Sequence, residues 1–239
     1  MFAKKAAALF SLLMFAVPAF ANPEAVKKEF EKKYPEVKVE KATKAGYGDL
    51  WEIFANGEIL YTDEKVNFLM IGTLVEVASK KNITEERLQR LTAINFSELP
   101  LHHAIKLVRG DGSRKLAIFE DPNCGWCKRF EKDLNSLENI TAYIFTYPIL
   151  SPESTDKAKA IWCSPDRLKA WQDLMLRDKA PTAKGTCANP VDQIAALGQR
   201  LRVQGTPMTY FEDGERQSGA LSKDVLEARL AAAKAALKK

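Results

Sequence analysis

Leu116-Ala117-Ile118-Phe119-Glu120-Asp121-Pro122-Asn123-Cys124-Gly125-Trp126-Cys127 sits in the second half of a 239-residue chain, and the architecture can be read outward from it. Leu116 to Phe119 is apolar at every position, as strands buried on both faces are. Cysteine follows at once. From Cys127 the apolar residues Phe130, Leu134 and Leu137 recur at steps of three, four and three, which makes one stripe of a helix turned towards a core. The unit is therefore a buried strand giving way to a helix at a Cys-x-x-Cys motif.

That placement gives the two cysteines different chemistry. A thiol at a helix N-terminus faces unpaired amide groups and the positive end of the macrodipole, both of which favour thiolate over thiol. Cys124 is expected to be the exposed nucleophile. Cys127, on the core stripe, is expected to be the buried resolving thiol that attacks a mixed disulfide from within the same turn. A c-type haem site needs histidine after the second cysteine, and residue 128 is lysine. A zinc site needs two further ligands at short spacing, whereas Cys163 and Cys187 are far apart and no histidine is near them. A purely structural bridge across so short a loop constrains the unfolded chain little. No metal and no cofactor is expected.

The residues alone leave two options for Cys163 and Cys187: a structural pair closing a helical segment, or one of them joining a redox relay. Gly205-Thr206-Pro207 heads an apolar strand, where proline removes a donor. X-Pro bonds are cis in only about 5% of cases, so spacing alone leaves Pro207 as a turn residue.

On either side of the motif the pattern is of strands alternating with helices from residue 101 onward. Ala104–Val108 and Leu116–Phe119 flank Gly110-Asp111-Gly112 and read as a hairpin. Ala142–Tyr147 reads as a second buried strand. Ser151-Pro152, Ser164-Pro165 and Asn189-Pro190 each read as a cap residue with proline opening a helix. A last hairpin turns at Asp213-Gly214, and Ser222 caps a helix with Leu226, Leu230, Ala233 and Leu237 on one face. Thr84 is expected to cap a helix running to Leu99, either connecting two domains or packing into the second core. His102 and His103, read as extended, point to opposite faces and are expected to be ordinary surface or interdomain residues.

The first part is smaller. Pro23–Tyr34 reads as a helix, and Leu50–Phe54 joins Ile59–Tyr61 through Asn56-Gly57, both of which accept positive φ. Lys65–Val77 supplies further apolar residues. Roughly sixty residues bury too little surface alone, so this sheet is expected to pair with a second copy.

The chain opens with Lys4 and Lys5, an uncharged stretch from Ala6 to Val17, and Ala19-Phe20-Ala21, the order of a secretory signal peptide cleaved after Ala21. About twelve apolar residues span only ~18 Å against ~30 Å of hydrocarbon, too short for an anchor. Lysine and arginine exceed aspartate and glutamate by only 36 to 31, which is no nucleic-acid footprint. Apolar residues make up 46% of the chain, which excludes a disordered protein.

The leader, the Cys124 to Cys127 motif after Ile118-Phe119-Glu120-Asp121, Ala160-Ile161-Trp162-Cys163, Cys187 and Gly205-Thr206-Pro207 together resemble the DsbC/DsbG family of periplasmic thiol:disulfide interchange proteins. The resemblance is weak before Thr84 and strong after Leu116. It implies an α+β protein. A leader (1–21) would precede a cystatin-like dimerisation domain (22–83), a linker helix (84–100) and a thioredoxin-fold catalytic domain with a helical insertion (101–239). It also implies that Cys124 attacks, Cys127 resolves, Pro207 is the cis-proline, and Cys163 pairs with Cys187. Thr206, Gly125 and Trp126 would hold the client segment, Trp126 keeping an aromatic surface where those proteins carry tyrosine. The implied partners are mis-oxidised exported proteins, a second copy of the chain, and the membrane reductase DsbD as electron donor. Disulfide isomerisation is the leading expectation. The alternatives are a DsbA-like dithiol oxidase, a DsbG-like reductase of sulfenic acids and a non-enzymatic holdase.

Overall fold

A computed structural model describes residues 22–237, so the leader expected over 1–21 lies outside the described residues. The chain divides into two compact units after Gly72.

The first unit is one helix on a small sheet. Asn22 accepts a hydrogen bond from the Glu24 amide and Pro23 occupies the first turn of α1 (Pro23–Lys33). β1 (Val39–Lys44), β2 (Trp51–Ala55) and β3 (Glu58–Thr62) pair antiparallel in that order. The β2–β3 turn is Asn56-Gly57, both at positive φ (53° and 82°), as a tight hairpin requires. Val26 and Phe30 of α1 pack on Val39, Trp51 and Ile53. Beyond β3 the apolar run bridges Met70 to Tyr61 and Val75 to Asn82, and leaves Phe68, Met70 and Ile71 exposed.

The second unit is a five-stranded sheet, ordered β4 (Ile105–Arg109), β6 (Ile140–Thr146), β5 (Arg114–Glu120), β7 (Met208–Phe211), β8 (Arg216–Ser218). Only the β5–β6 pair is parallel. Alternation along β5 divides the core. Leu116 and Ile118 face α3 (Gly125–Leu134), α5 (Arg167–Arg177) and α7 (Lys223–Ala236). Ala117 and Phe119 face α6 (Val191–Arg200) together with Phe96 and Leu99. α4 (Pro152–Trp162) and α5 form the helical insertion after β6.

Several sequence expectations are corrected here. β4 and β5 are not a hairpin, because β6 lies between them. Their connection instead straddles the start of β6: Asn139 Oδ1 accepts from the Asp111 amide and Thr141 Oγ1 donates to the Gly112 carbonyl. A Cβ on Gly110 would run into Asn139 Oδ1 and the Asn139 backbone, so the close approach requires glycine. α2 (Ile83–Leu91) is capped by Asn82, not Thr84, and stops at Leu91; Thr84 Oγ1 instead accepts from the Leu74 amide. α5 begins two residues beyond Ser164-Pro165, with Asp166 as its cap, and Pro190 rather than Asn189 stands at the cap of α6. Ser222 makes no side-chain cap bond, and Leu237 is more than half exposed. His102 and His103 lie in a 3-10 turn, not an extended segment, with ring centroids 4.1 Å apart.

Candidate active site

β5, the central strand, ends at Glu120, and Asp121 folds the chain into the head of α3. The Asp121 carboxylate, fully buried, accepts from the Asn123 amide and the Ser154 hydroxyl through Oδ1 and from the Ile149 and Leu150 amides through Oδ2. One charged side chain thus holds the turn before the cysteines, the turn after β6 and the start of α4. Asn123 extends the network, accepting from Lys157 Nζ at 2.6 Å and donating to Ser151 and Ser154.

Cys124 is the N-cap of α3, with its sulfur accepting from the Cys127 amide at 3.3 Å. Its thiol donates to the Thr206 carbonyl at 3.4 Å, and the Thr206–Pro207 peptide bond is cis. Residues far apart in sequence are therefore joined at one point: the first thiol, the free amides of a helix terminus and the carbonyl of an extended loop. Both cysteines are free thiols. Cys124 is only 6% exposed, which corrects the expectation of an exposed nucleophile: capping the helix turns the sulfur inward, under the Thr206 loop. Exposure passes to Trp126, which is 70% exposed, and to Gly125, where an added Cβ would meet nothing within 4 Å. Cys127 is wholly buried with Phe130 and Leu134.

Two buried carboxyls for which the sequence raised no expectation lie beneath the thiols. Glu120 ends β5 on the Ile118 side, and Glu131 lies one turn beyond Cys127 on α3. Neither is more than 1% exposed. Glu131 accepts from the Trp171 indole of α5 at 2.6 Å. Among the described residues no donor reaches either oxygen of Glu120 or the second oxygen of Glu131. Burial, and then the charge of Glu131, push Glu120 well above the ordinary carboxylate range. Burial likewise raises Glu131, against the opposing influence of Glu120, Trp171 and Arg109. Burial first, and then the charge of Glu120, push the Cys127 thiol up. The signal was present in the sequence, two residues on from Ile118 and four on from Cys127; only Trp171 had none.

Cys163 and Cys187 are joined, S–S 2.03 Å, tying the C-terminal end of α4 to the loop before α6. Among the described residues no cluster of three or more histidine, cysteine or carboxylate side chains is arranged to hold a metal.

Comparison with known proteins agrees with this geometry. Residues 101–234 match the family model of a thioredoxin-like domain, and residues 17–85 that of a disulfide bond isomerase protein N-terminal domain. The chain is 48% identical over 208 residues to the probable thiol:disulfide interchange protein DsbC of Bordetella pertussis, spanning 87% of this chain and 74% of the relative. It is 29% identical over 248 residues to the thiol:disulfide interchange protein DsbC of Dickeya dadantii, spanning 98% of both. Among solved structures, a disulfide interchange protein from Neisseria gonorrhoeae is 41% identical with a TM-score of 0.54, over 56% of this chain and 96% of that one.

Proposed function

Because this chain belongs to the DsbC family of thiol:disulfide interchange proteins, we propose that it corrects non-native disulfides of exported proteins in the periplasm through Cys124 and Cys127. The observation that carries the reading is the free dithiol at the head of α3, with Cys124 against the Thr206 carbonyl beside cis-Pro207. Cys124 thiolate attacks one sulfur of a client disulfide; that bond breaks, a Cys124–client disulfide forms, and the electron pair leaves on the second client sulfur. A client thiolate then displaces Cys124, which reshuffles the bond. Alternatively Cys127 displaces the client, which reduces it and leaves a Cys124–Cys127 disulfide. Isomerisation consumes no electrons, but the second route needs a reductant, for which we assign a DsbD-type membrane dithiol.

Cys127 is the resolving thiol, and its burial keeps it from competing for solvent-borne disulfides. Trp126 with Gly125 and the Thr206 backbone hold the extended client segment on either side of the attacked sulfur. Cys163–Cys187 is structural. Residues 1–21 are a leader removed after Ala21, 22–83 the dimerisation domain, 84–100 the linker segment and 101–239 the catalytic domain. The exposed Phe68, Met70 and Ile71 support pairing of two copies through the first unit. The oxidase and sulfenic acid reductase alternatives are not favoured, since the N-terminal match is to the isomerase domain.

The test is recovery of activity by a scrambled, fully oxidised reporter enzyme in mild glutathione buffer, with the reduced mature protein and its Cys124→Ala variant. Recovery that disappears in the variant is expected. Recovery that persists would leave a holdase, and rapid oxidation of a reduced client instead would point to an oxidase.

A further inference from the structure

We propose that Ile149 and Leu150, on the loop between β6 and α4, form an apolar shelf beside Cys124 that takes the apolar residues flanking the attacked cysteine of a client chain. The shelf sets which cystines are attacked fastest, favouring those with apolar neighbours over those with polar ones. The proposal rests on the dithiol exchange assigned above and adds specificity-determining residues to it.

The placement follows from a row of hydrogen bonds that carries the β5–β6 pairing beyond the sheet. The Tyr147 amide donates to the Glu120 carbonyl at 2.7 Å. The Ile149 and Leu150 amides donate to Asp121 Oδ2 at 2.7 and 2.9 Å, and Asn123 Nδ2 donates to Ser151 Oγ at 3.2 Å. Residues 147–151 are thereby laced to residues 120–123, and the last bond of the row lies one peptide from Cys124. Asp121 closes the junction from the other side, its carbonyl accepting from the Cys124 amide at 3.0 Å. One residue thus carries both the turn that presents the sulfur and the turn that presents the shelf. A client side chain seated on the shelf is held at a fixed place relative to Cys124, as selection between substrates requires.

The same bonds explain why two large apolar side chains stay in solvent. Tyr147 is buried and donates its hydroxyl to the Val203 carbonyl, and Ser151 caps α4 by accepting from the Ser154 amide. Between these anchors two successive amides turn inward onto one buried oxygen, leaving Ile149 39% and Leu150 57% exposed. The turn is held through backbone donors, which any residue but proline supplies, so the apolar side chains serve a contact outside the fold. The occupant is fixed by the reaction. A client disulfide is attacked only when the chain carrying it crosses Cys124, which brings the residues beside its cysteine to the shelf. Chains with wrong disulfides keep core residues exposed, so apolar flanks are what they offer. The ionised groups bonded to Asn123, Glu153 and Lys157, pair with each other at 2.8 Å, so their charges are balanced within the rim.

The test uses the reduced mature protein and short peptides whose single cysteine is joined to the coloured aromatic thiol of Ellman's reagent, with leucine, serine or glutamate on both sides of the cysteine. Cys124 thiolate attacks the peptide sulfur, and the coloured thiolate, the better leaving group, departs. Each rate constant is divided by that for Ellman's reagent on the same protein, so a change in the thiol itself cancels. The leucine peptide is expected to react about tenfold faster than the serine peptide. Ile149→Ser with Leu150→Ser should bring that ratio near one, Leu150→Met should keep it, and Leu150→Lys should turn the preference towards the glutamate peptide. Equal rates for the leucine and serine peptides in the unsubstituted chain, or a tenfold ratio that survives in the folded double variant, overturns the proposal. If the double variant does not fold, Leu150→Lys decides: a gain for the glutamate peptide supports the proposal, and an unchanged preference for leucine overturns it. Leucine preference that depends on the shelf, without recovery of the scrambled reporter enzyme, would overturn the isomerase reading and support this one. Absence of release from every probe would overturn both.

Discussion

Asp121 shows how much one side chain can determine at this site. It has four donors around one carboxylate, three of them backbone amides of loops that would otherwise turn independently. Asp121→Asn replaces an accepting oxygen with a donor facing those amides, and a destabilisation of about 3 kcal/mol is expected, read from the urea midpoint at constant slope. Dithiol reactivity should fall with it, since the same carboxylate seats the turn before Cys124. Glu120 behaves in the opposite sense. Its folded-state affinity for a proton is raised above the ordinary value of 4.5, chiefly by burial, so above that value the folded chain binds more protons than the unfolded one. Stability therefore declines as pH rises from the carboxylate range towards the folded-state value. Glu120→Gln removes this slope, and its melting temperature is expected to exceed that of the unsubstituted chain at about pH 8, the gap closing as pH falls towards 4.5. A constant gap across pH would show that Glu120 titrates normally.

At the level of elements, α3 was legible because a period of 3.6 and a cap position coincide at the motif, and the structure starts it within a residue of Cys124. β5 and β6 were legible as buried strands for the same kind of reason, but their pairing was not. A Gly-Asp-Gly turn between two apolar strands looks like a hairpin from either side, and nothing local reveals that a third strand will enter between them. The α2 cap shifted because Asn82, Thr84 and the following acidic residues offer competing starts; the Leu74 amide took the Thr84 hydroxyl and left the cap to Asn82. The Cys163–Cys187 bridge spans 24 residues of helical insertion. Cys163→Ser with Cys187→Ser is expected to cost about 3 kcal/mol through the freed unfolded chain, while the folded fraction keeps its reaction with Ellman's reagent. Loss of that reaction in folded protein would place the bridge in the redox path.

For the molecule as a whole, the first unit is small and leaves Phe68, Met70 and Ile71 in solvent. The mature protein is expected to sediment at twice the mass of its chain, and Ile71→Lys, the most exposed of the three, to shift it towards monomer; a monomer throughout would overturn the pairing. What the sequence determined by itself is whatever depends on neighbours within a turn or a strand: the alternation of buried strands and helices, the Asn-Gly hairpin, and the stripe that sends Cys127 inward. Only the tertiary structure decided what meets across the core. It inserted β6 between β4 and β5, drew the Thr206 carbonyl from the far side of the insertion onto Cys124, covered a thiol that local reasoning left exposed, and buried a strand carboxyl and, under an indole from the insertion, a helix carboxyl. The physical reason is that backbone and side-chain periodicity act over a few residues, whereas a close contact between distant segments depends on how all the apolar faces are buried at once.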